Sequence, residues 1–126
     1  MDYVRVNLAE PVRFETAGEF ISESGWTHAE RSIPNYELII GVNEKVYIQE
    51  EEKKFEIGPG EILQLLPGRR HGGYKASETG VKFYWIHFHF ASEPVLLSGE
   101  EMAREAEMIS MRPQRSWSVQ DLYLPQ

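Results

Sequence analysis

Four histidines are the residues of this chain best suited to hold a metal or move a proton. Two of them, His87 and His89, stand two apart in the run GVKFYWIHFHF (Gly80–Phe90). On a strand that spacing turns both imidazoles to one face, where two nitrogens can chelate one ion. No carboxylate or third imidazole is placed beside them by the sequence, so they read as packed histidines at a strand end. His28 reads as an arm residue with a local hydrogen bond. The absence of cysteine excludes disulfides, thiolate nucleophiles and Cys-ligated zinc. The other chemistry in the run is aromatic. Alternation sets Val81, Phe83 and Trp85 on the same side as the two histidines, and Lys82, Tyr84, Ile86, Phe88 and Phe90 on the other. Phe83 and Trp85 can wall a pocket or serve only as core, and strand spacing leaves both open.

These side chains need strands to hold them, and the chain is patterned for strands. Residues 1–30 form an extended arm, with VRFETAGEF (Val12–Phe20) as its best strand piece. After Pro34-Asn35, YELIIGV (Tyr36–Val42) has strand length and Asn43-Glu44 is a tight turn. In KVYIQE (Lys45–Glu50), Val46 and Ile48 share one face while Lys45, Tyr47 and Gln49 share the other. The acidic tip Glu50-Glu51-Glu52 reads as a solvated hairpin end, and KFEI (Lys54–Ile57) returns. Gly58-Pro59-Gly60 breaks the chain and EILQLL (Glu61–Leu66) is the next strand. Pro67-Gly68 then turns it, because proline presets φ and glycine tolerates the left-handed region. The strand over 80–90 is apolar or aromatic on both faces, as expected of a strand buried on both sides. The whole stretch from Tyr36 to Phe90 predicts a small β-barrel whose mouth holds one ligand.

The C-terminal part changes period. Ser98 with Glu101 is a capping-box signal, and Met102, Ala103, Ala106 and Ile109 have helical spacing. A helix is predicted over 99–108, ended by Arg112-Pro113, with a last strand in SVQDLYLPQ (Ser118–Gln126). Nothing marks a natural terminus there, so the chain is expected to be truncated.

At 126 residues the chain predicts one domain, 1–126, with an arm (1–20), a barrel core (36–90) and a C-terminal extension (91–126). A formal net charge of −7 repels phosphate, so direct nucleic-acid binding by this chain is not expected. No apolar run approaches the roughly 20 residues of a membrane span and no leader is visible. A cytoplasmic protein with no membrane contact is the expectation.

The order and spacing of several short motifs resemble a known family. GPGEILQLLPGRRH resembles the cupin signature, in which a strand, a Pro-Gly turn and a histidine follow a glycine. More narrowly, Trp26–Phe90 resembles the N-terminal ligand-binding domain of AraC-type bacterial transcription regulators. That likeness rests on Trp26, His28 and Arg31 as W-x-H-x-x-R, on Tyr36–Leu38, on Gly58–Gly73, and on YWIHF (Tyr84–Phe88). DLYLP resembles the strand that precedes the dimerisation helices of these regulators. The resemblance implies an all-β fold: a cupin-like double-stranded β-helix, or small jelly-roll barrel, with a short C-terminal helix.

The same resemblance separates two functions. Metal-dependent cupins carry an H-x-H pair, a glutamate a few residues on, and a late histidine. Glu37 stands at the glutamate position and His71 at the late histidine, but the H-x-H position falls near Arg31–Pro34, where there is none. Arginine is a fixed cation and does not ligate metal. Glu44 also replaces an expected glycine. No bound metal or other cofactor, and no catalysis, is therefore expected; a stand-alone metal cupin, an isomerase or dioxygenase, is the alternative, and a ligand-free dimerisation scaffold a third.

As a sensor, the family places its sugar site at positions corresponding to Arg31, His71 through Tyr74, Phe83 and Trp85. The expected ligand-binding set is Arg31, Glu37, His71, Tyr74, Phe83 and Trp85. Arg31 offers a fork of N–H donors, or simply a salt bridge to Glu30 or Glu37. Trp85 offers a stacking face and Tyr74 a hydroxyl. Phe83 is apolar where sugar-binding members carry a polar residue. The implied partner is a small-molecule effector, a sugar or related polar metabolite. The full-length regulator is expected to be a homodimer, with an arm that changes contacts on binding and a DNA-binding half outside this chain.

Overall fold

The computed structural model describes residues 2–111 and 121–126. The chain folds as two compact units, one from Phe14 to His89, the other combining Met1–Arg13 with Phe90–Gln126.

The first unit is built of antiparallel strands. It begins with β2 (Arg13–Ser22), which follows β1 (Tyr3–Asn7) in the chain, and continues with β3 (Arg31–Ser32), β4 (Tyr36–Asn43) and β5 (Val46–Glu50). Then come β6 (Lys53–Ile57), β7 (Ile62–Leu65), β8 (Arg70–Gly73) and β9 (Val81–His89). They form two four-stranded sheets, one in the order β2-β9-β4-β7 and the other in the order β3-β8-β5-β6.

Period-two patterning explains why these sheets pack. Along β5 the residues alternate buried and half-buried, with Val46 and Ile48 inward as the sequence predicts. Ile39, Leu63, Leu65, Val81 and Phe83 of the first sheet meet Val46, Ile48 and Ile57 of the second in one buried cluster. Alternating apolar residues of two inner faces thus close one core. The hairpin tips at Glu44 (φ 56°) and Glu51 (φ 51°) adopt positive φ, as tight turns demand.

Two expectations are corrected and one strand is added. Glu50 is not part of a solvated tip. It is 1 % exposed, accepting a bond from the Leu66 N–H at 2.8 Å and facing Arg69 at 3.5 Å. Its place as the inward residue after Val46 and Ile48 forces it inside. Nor is the 80–90 strand buried on both sides, since Tyr84 is 41 % exposed. The segment just past Pro67-Gly68 is itself a strand, β8, hydrogen-bonded between β3 and β5.

The second unit comprises β1, β10 (Val95–Leu97), α1 (Gly99–Ser110) and β11 (Asp121–Pro125). Its sheet runs β10-β1-β11, with Val4, Val6 and Leu97 buried. The capping box forms as predicted: Ser98 Oγ accepts from the Glu101 N–H at 3.2 Å, and the Glu101 carboxylate accepts from the Ser98 N–H at 2.7 Å. Arg5 pairs with Glu105, and Asn7 donates to Asp121 at 3.0 Å. The strand is observed from Asp121; Arg112-Pro113 and residues 118–120 of the expected last strand lie outside the described residues.

Candidate functional site

Two cross-strand pairs, one from each sheet of the first unit, bring the charged groups together. In the first sheet Glu37 of β4 lies opposite His87 of β9. In the second, Arg31 of β3 lies opposite His71 of β8. Arg31 Nη2 donates to the Glu37 carboxylate oxygens at 3.2 and 3.4 Å, and its Nε donates to His71 Nε2 at 3.4 Å. His71 Nε2 stands 3.6 Å from Glu37 Oε2 and His87 Nε2 stands 3.4 Å from Glu37 Oε1. Glu37 is thus a carboxylate, 2 % exposed, ringed by one guanidinium and two imidazoles. A buried carboxylate needs such partners, because burial without them costs several kcal/mol.

A third imidazole arrives from the loop before β3. Gly73 donates its N–H to the His28 carbonyl at 2.9 Å, and Ser77 donates its own to the Trp26 carbonyl at 2.7 Å. The loop lies so close to β8 that a Cβ at Gly73 would stand 2.6 Å from Thr27 Cγ2 and 2.7 Å from His28 N. Only glycine permits that approach. His28 then reaches the centre: His28, Glu37 and His71 each offer one donor atom, all within 4.8 Å of one another. The His28 and His71 rings meet edge to face at 5.3 Å. Burial, the largest influence on each, pushes both imidazoles below their ordinary range, more than the nearby Glu37 charge raises them. Both are neutral at pH 7.

Beside this polar centre is an aromatic wall. Phe20 stacks on Phe83 at 5.1 Å and meets Trp26 at 4.3 Å, while Trp26 and Phe83 lie 5.5 Å apart. Trp85 lies against Gly18, where a Cβ would come within 2.4 Å of the indole. The four rings, with Arg31, Glu37, His28 and His87, line a pocket of about 310 Å³. Apolar faces on one side and convergent polar groups on the other suit a small amphipathic ligand. A second depression, about 340 Å³, lies beside Arg70–Gly73 with Glu30, Glu51 and Glu52. No Phe, Tyr or Trp lines it, and Arg70 is already paired with Glu30.

A family model for the AraC-like ligand binding domain matches residues 15–121. The chain belongs to that family. The AraC-like domain is 37 % identical over 75 residues to YisR of Bacillus subtilis (strain 168), described as an uncharacterised HTH-type transcriptional regulator. That match covers 60 % of this chain and 26 % of the relative, so the chain spans about a quarter of the protein it resembles. Among solved structures, a cupin superfamily protein of Desulfitobacterium hafniense DCB-2 aligns at 16 % identity with a TM-score of 0.48, over 71 % of this chain and 78 % of that one. A Photorhabdus luminescens protein aligns at 14 % identity and 0.48, over 85 % and 84 %. Among its described residues the AraC-like domain is mainly β with one short helix.

Within this AraC-like domain, five of the six expected site residues gather. Arg31, Glu37, Phe83 and Trp85 line the pocket, and His71 stands behind Glu37. Tyr74 does not join them. Its ring packs edge-on to Tyr47 at 5.8 Å, under the Lys54 ammonium at 5.1 Å. The alternation of β8 turns His71 inward, and Tyr74, just beyond the strand, joins Tyr47 instead. Phe20, Trp26, His28 and His87 were not expected there. The W-x-H-x-x-R spacing held a signal for Trp26 and His28. His28 does make the local bond expected of it, Nδ1 to the Ala29 carbonyl at 2.6 Å, while its ring faces the pocket. For His87 the missing carboxylate is Glu37, which only the β4–β9 register supplies. His89 faces Glu15 instead, at 3.4 Å. Among the described residues, no helix is long and apolar enough to cross a membrane.

Proposed function

We propose that this AraC-like domain senses a small polar metabolite with a ring face, a sugar or a related compound, and serves a longer cytoplasmic transcription regulator that works as a homodimer. The observation that carries this reading is the pocket's composition: four aromatic rings facing a buried carboxylate and a guanidinium. Trp85 stacks on the apolar face of the ring, as indoles do with sugars. Arg31 donates to ligand oxygens with the N–H groups it does not spend on Glu37, and Glu37 accepts from a ligand hydroxyl. The chain binds and does not transform its ligand. Its net charge of −7 supports DNA contact through another part of the polypeptide.

Two of the three tryptophans, Trp26 and Trp85, line the pocket, so ligand entry changes intrinsic fluorescence. The test is a fluorescence and thermal-shift screen with monosaccharides, disaccharides, uronic acids and small phenolics. A ligand at about 100 times its Kd adds nearly 3 kcal/mol of stability. Trp85→Ala and Arg31→Met should each weaken any hit. A hit whose affinity neither variant changes would place the effector elsewhere and sink this assignment.

A further inference from the structure

We infer that His28, Glu37 and His71 form a site for one divalent transition-metal ion, of the Zn²⁺, Co²⁺ or Ni²⁺ class, and that the Arg31 guanidinium is the internal cation such an ion displaces. The inference rests on these donors alone and not on the effector reading.

The donor atoms lie within 4.8 Å of one another. Around an ion with bonds of about 2.1 Å, tetrahedral donors stand about 3.4 Å apart. His71 Nε2 and Glu37 Oε2, at 3.6 Å, are already near that spacing. His28 sits on a loop and is only half-buried, so a side-chain rotation closes the remaining gap.

The hydrogen bonds also leave the right lone pairs free. A carbonyl only accepts, so the bond from His28 to the Ala29 carbonyl puts the proton on Nδ1 and leaves Nε2 as a donor to metal. Arg31 Nε donates to His71 Nε2, so that nitrogen holds a lone pair as well. By the same logic His87 is not a ligand. Its Nδ1 accepts from Asn35 at 3.4 Å, so Nε2 carries the proton and has no lone pair to offer, although it stands 3.4 Å from Glu37 Oε1.

Arg31 therefore rests on lone pairs of two of the three donors. Its side chain is 41 % exposed and can swing toward water, whereas Glu37 cannot leave the interior. Exchange of the guanidinium for a divalent ion keeps the buried carboxylate neutralised throughout. Two imidazoles and one carboxylate leave a fourth position open.

The test uses the whole chain, stripped with chelator and titrated with Co²⁺ and Zn²⁺ by calorimetry and, for Co²⁺, visible absorption. No organic ligand is present, so failure here leaves the effector reading standing, and the reverse. One ion per chain is expected. His28→Ala should weaken binding about tenfold or more, His71→Gln should abolish it, and Arg31→Met should tighten it several-fold. Circular dichroism checks that each variant folds; if buried His71 does not tolerate replacement, the half-buried His28 decides the outcome. Absence of stoichiometric binding overturns the inference. So does binding that survives His28→Ala but is lost in His89→Ala, which would put the ion on the half-exposed His89–Glu15 pair. An unchanged affinity in Arg31→Met would remove Arg31 as the internal occupant.

Discussion

Arg31 holds Glu37 across the two sheets of the first unit, with Nη2 at 3.2 and 3.4 Å from the carboxylate oxygens. The arginine side chain is 41 % exposed and the glutamate 2 %. The two partners are therefore unequal. Arg31 loses little by leaving for water, while Glu37 stays behind as a buried charge.

That inequality predicts an asymmetric mutant cycle. Arg31→Ala leaves the carboxylate short of a donor and should cost about 1–3 kcal/mol of unfolding free energy. Glu37→Gln should cost less, because it removes the charge that needed compensation. In the double variant the glutamine should recover part of the Arg31→Ala loss. Urea unfolding of the four proteins measures this; strict additivity would mean that the pair is uncoupled.

Metal-free protein should lose stability on mild acidification. Burial lowers the His28 and His71 pKa values from the ordinary 6.5. The unfolded chain takes up these protons as the pH falls through 6.5, while the folded chain resists until the lowered values are reached. Stability is therefore fully present above 6.5 and is lost below it, toward those lowered values. Melting temperatures between about pH 8 and pH 5, with chelator present, should show the decline. His28→Gln should flatten part of it; an identical slope in that variant would assign the protons elsewhere.

Gly73→Ala should dislodge the loop that carries His28. The new methyl would stand 2.6 Å from Thr27 Cγ2 and 2.7 Å from His28 N, and the second of these is backbone, which cannot rotate aside. A cost of about 1–3 kcal/mol is expected from overpacking. Trp26 belongs to the same loop, so tryptophan emission should shift as well. Wild-type stability with wild-type emission would show that the loop yields freely.

Glu50→Ala should be costly for a residue in an acidic run. It withdraws the acceptor of the buried Leu66 N–H and the partner of Arg69. A loss of about 1–3 kcal/mol follows from the unsatisfied donor, with a cavity contribution added. Glu52→Ala, at an exposed position of the neighbouring turn, is the control and should change stability by less than about 0.5 kcal/mol.

Strands with a strong period were legible in the sequence. Val46 and Ile48 set β5, and Tyr36–Val42 marked β4 to within one residue. The capping box at Ser98 marked α1. β3 and β8 were not legible, since two residues and the run Arg70-His71-Gly72-Gly73 carry no alternating apolar signal. They exist because β5 and the Arg31–His71 register give their backbone groups partners. Glu50 misled for a related reason: in sequence it belongs to three glutamates, but in space it continues the inward row of Val46 and Ile48.

The sequence by itself determined a small β fold of the AraC-like type, an aromatic strand able to wall a pocket, and a chemistry without cysteine. It also identified Arg31, Glu37 and His71 as residues to watch, because their spacing matches a family pattern. Tertiary structure alone decided that His28 and His87 reach the same carboxylate and that Tyr74 does not join them. The physical reason is that cross-strand register and loop closure are long-range facts. Glu37 meets His87 through the β4–β9 ladder, and it meets His28 because Gly73 lets a loop lie against β8. No local spacing encodes either contact; each depends on which strands pair and how closely their backbones pass.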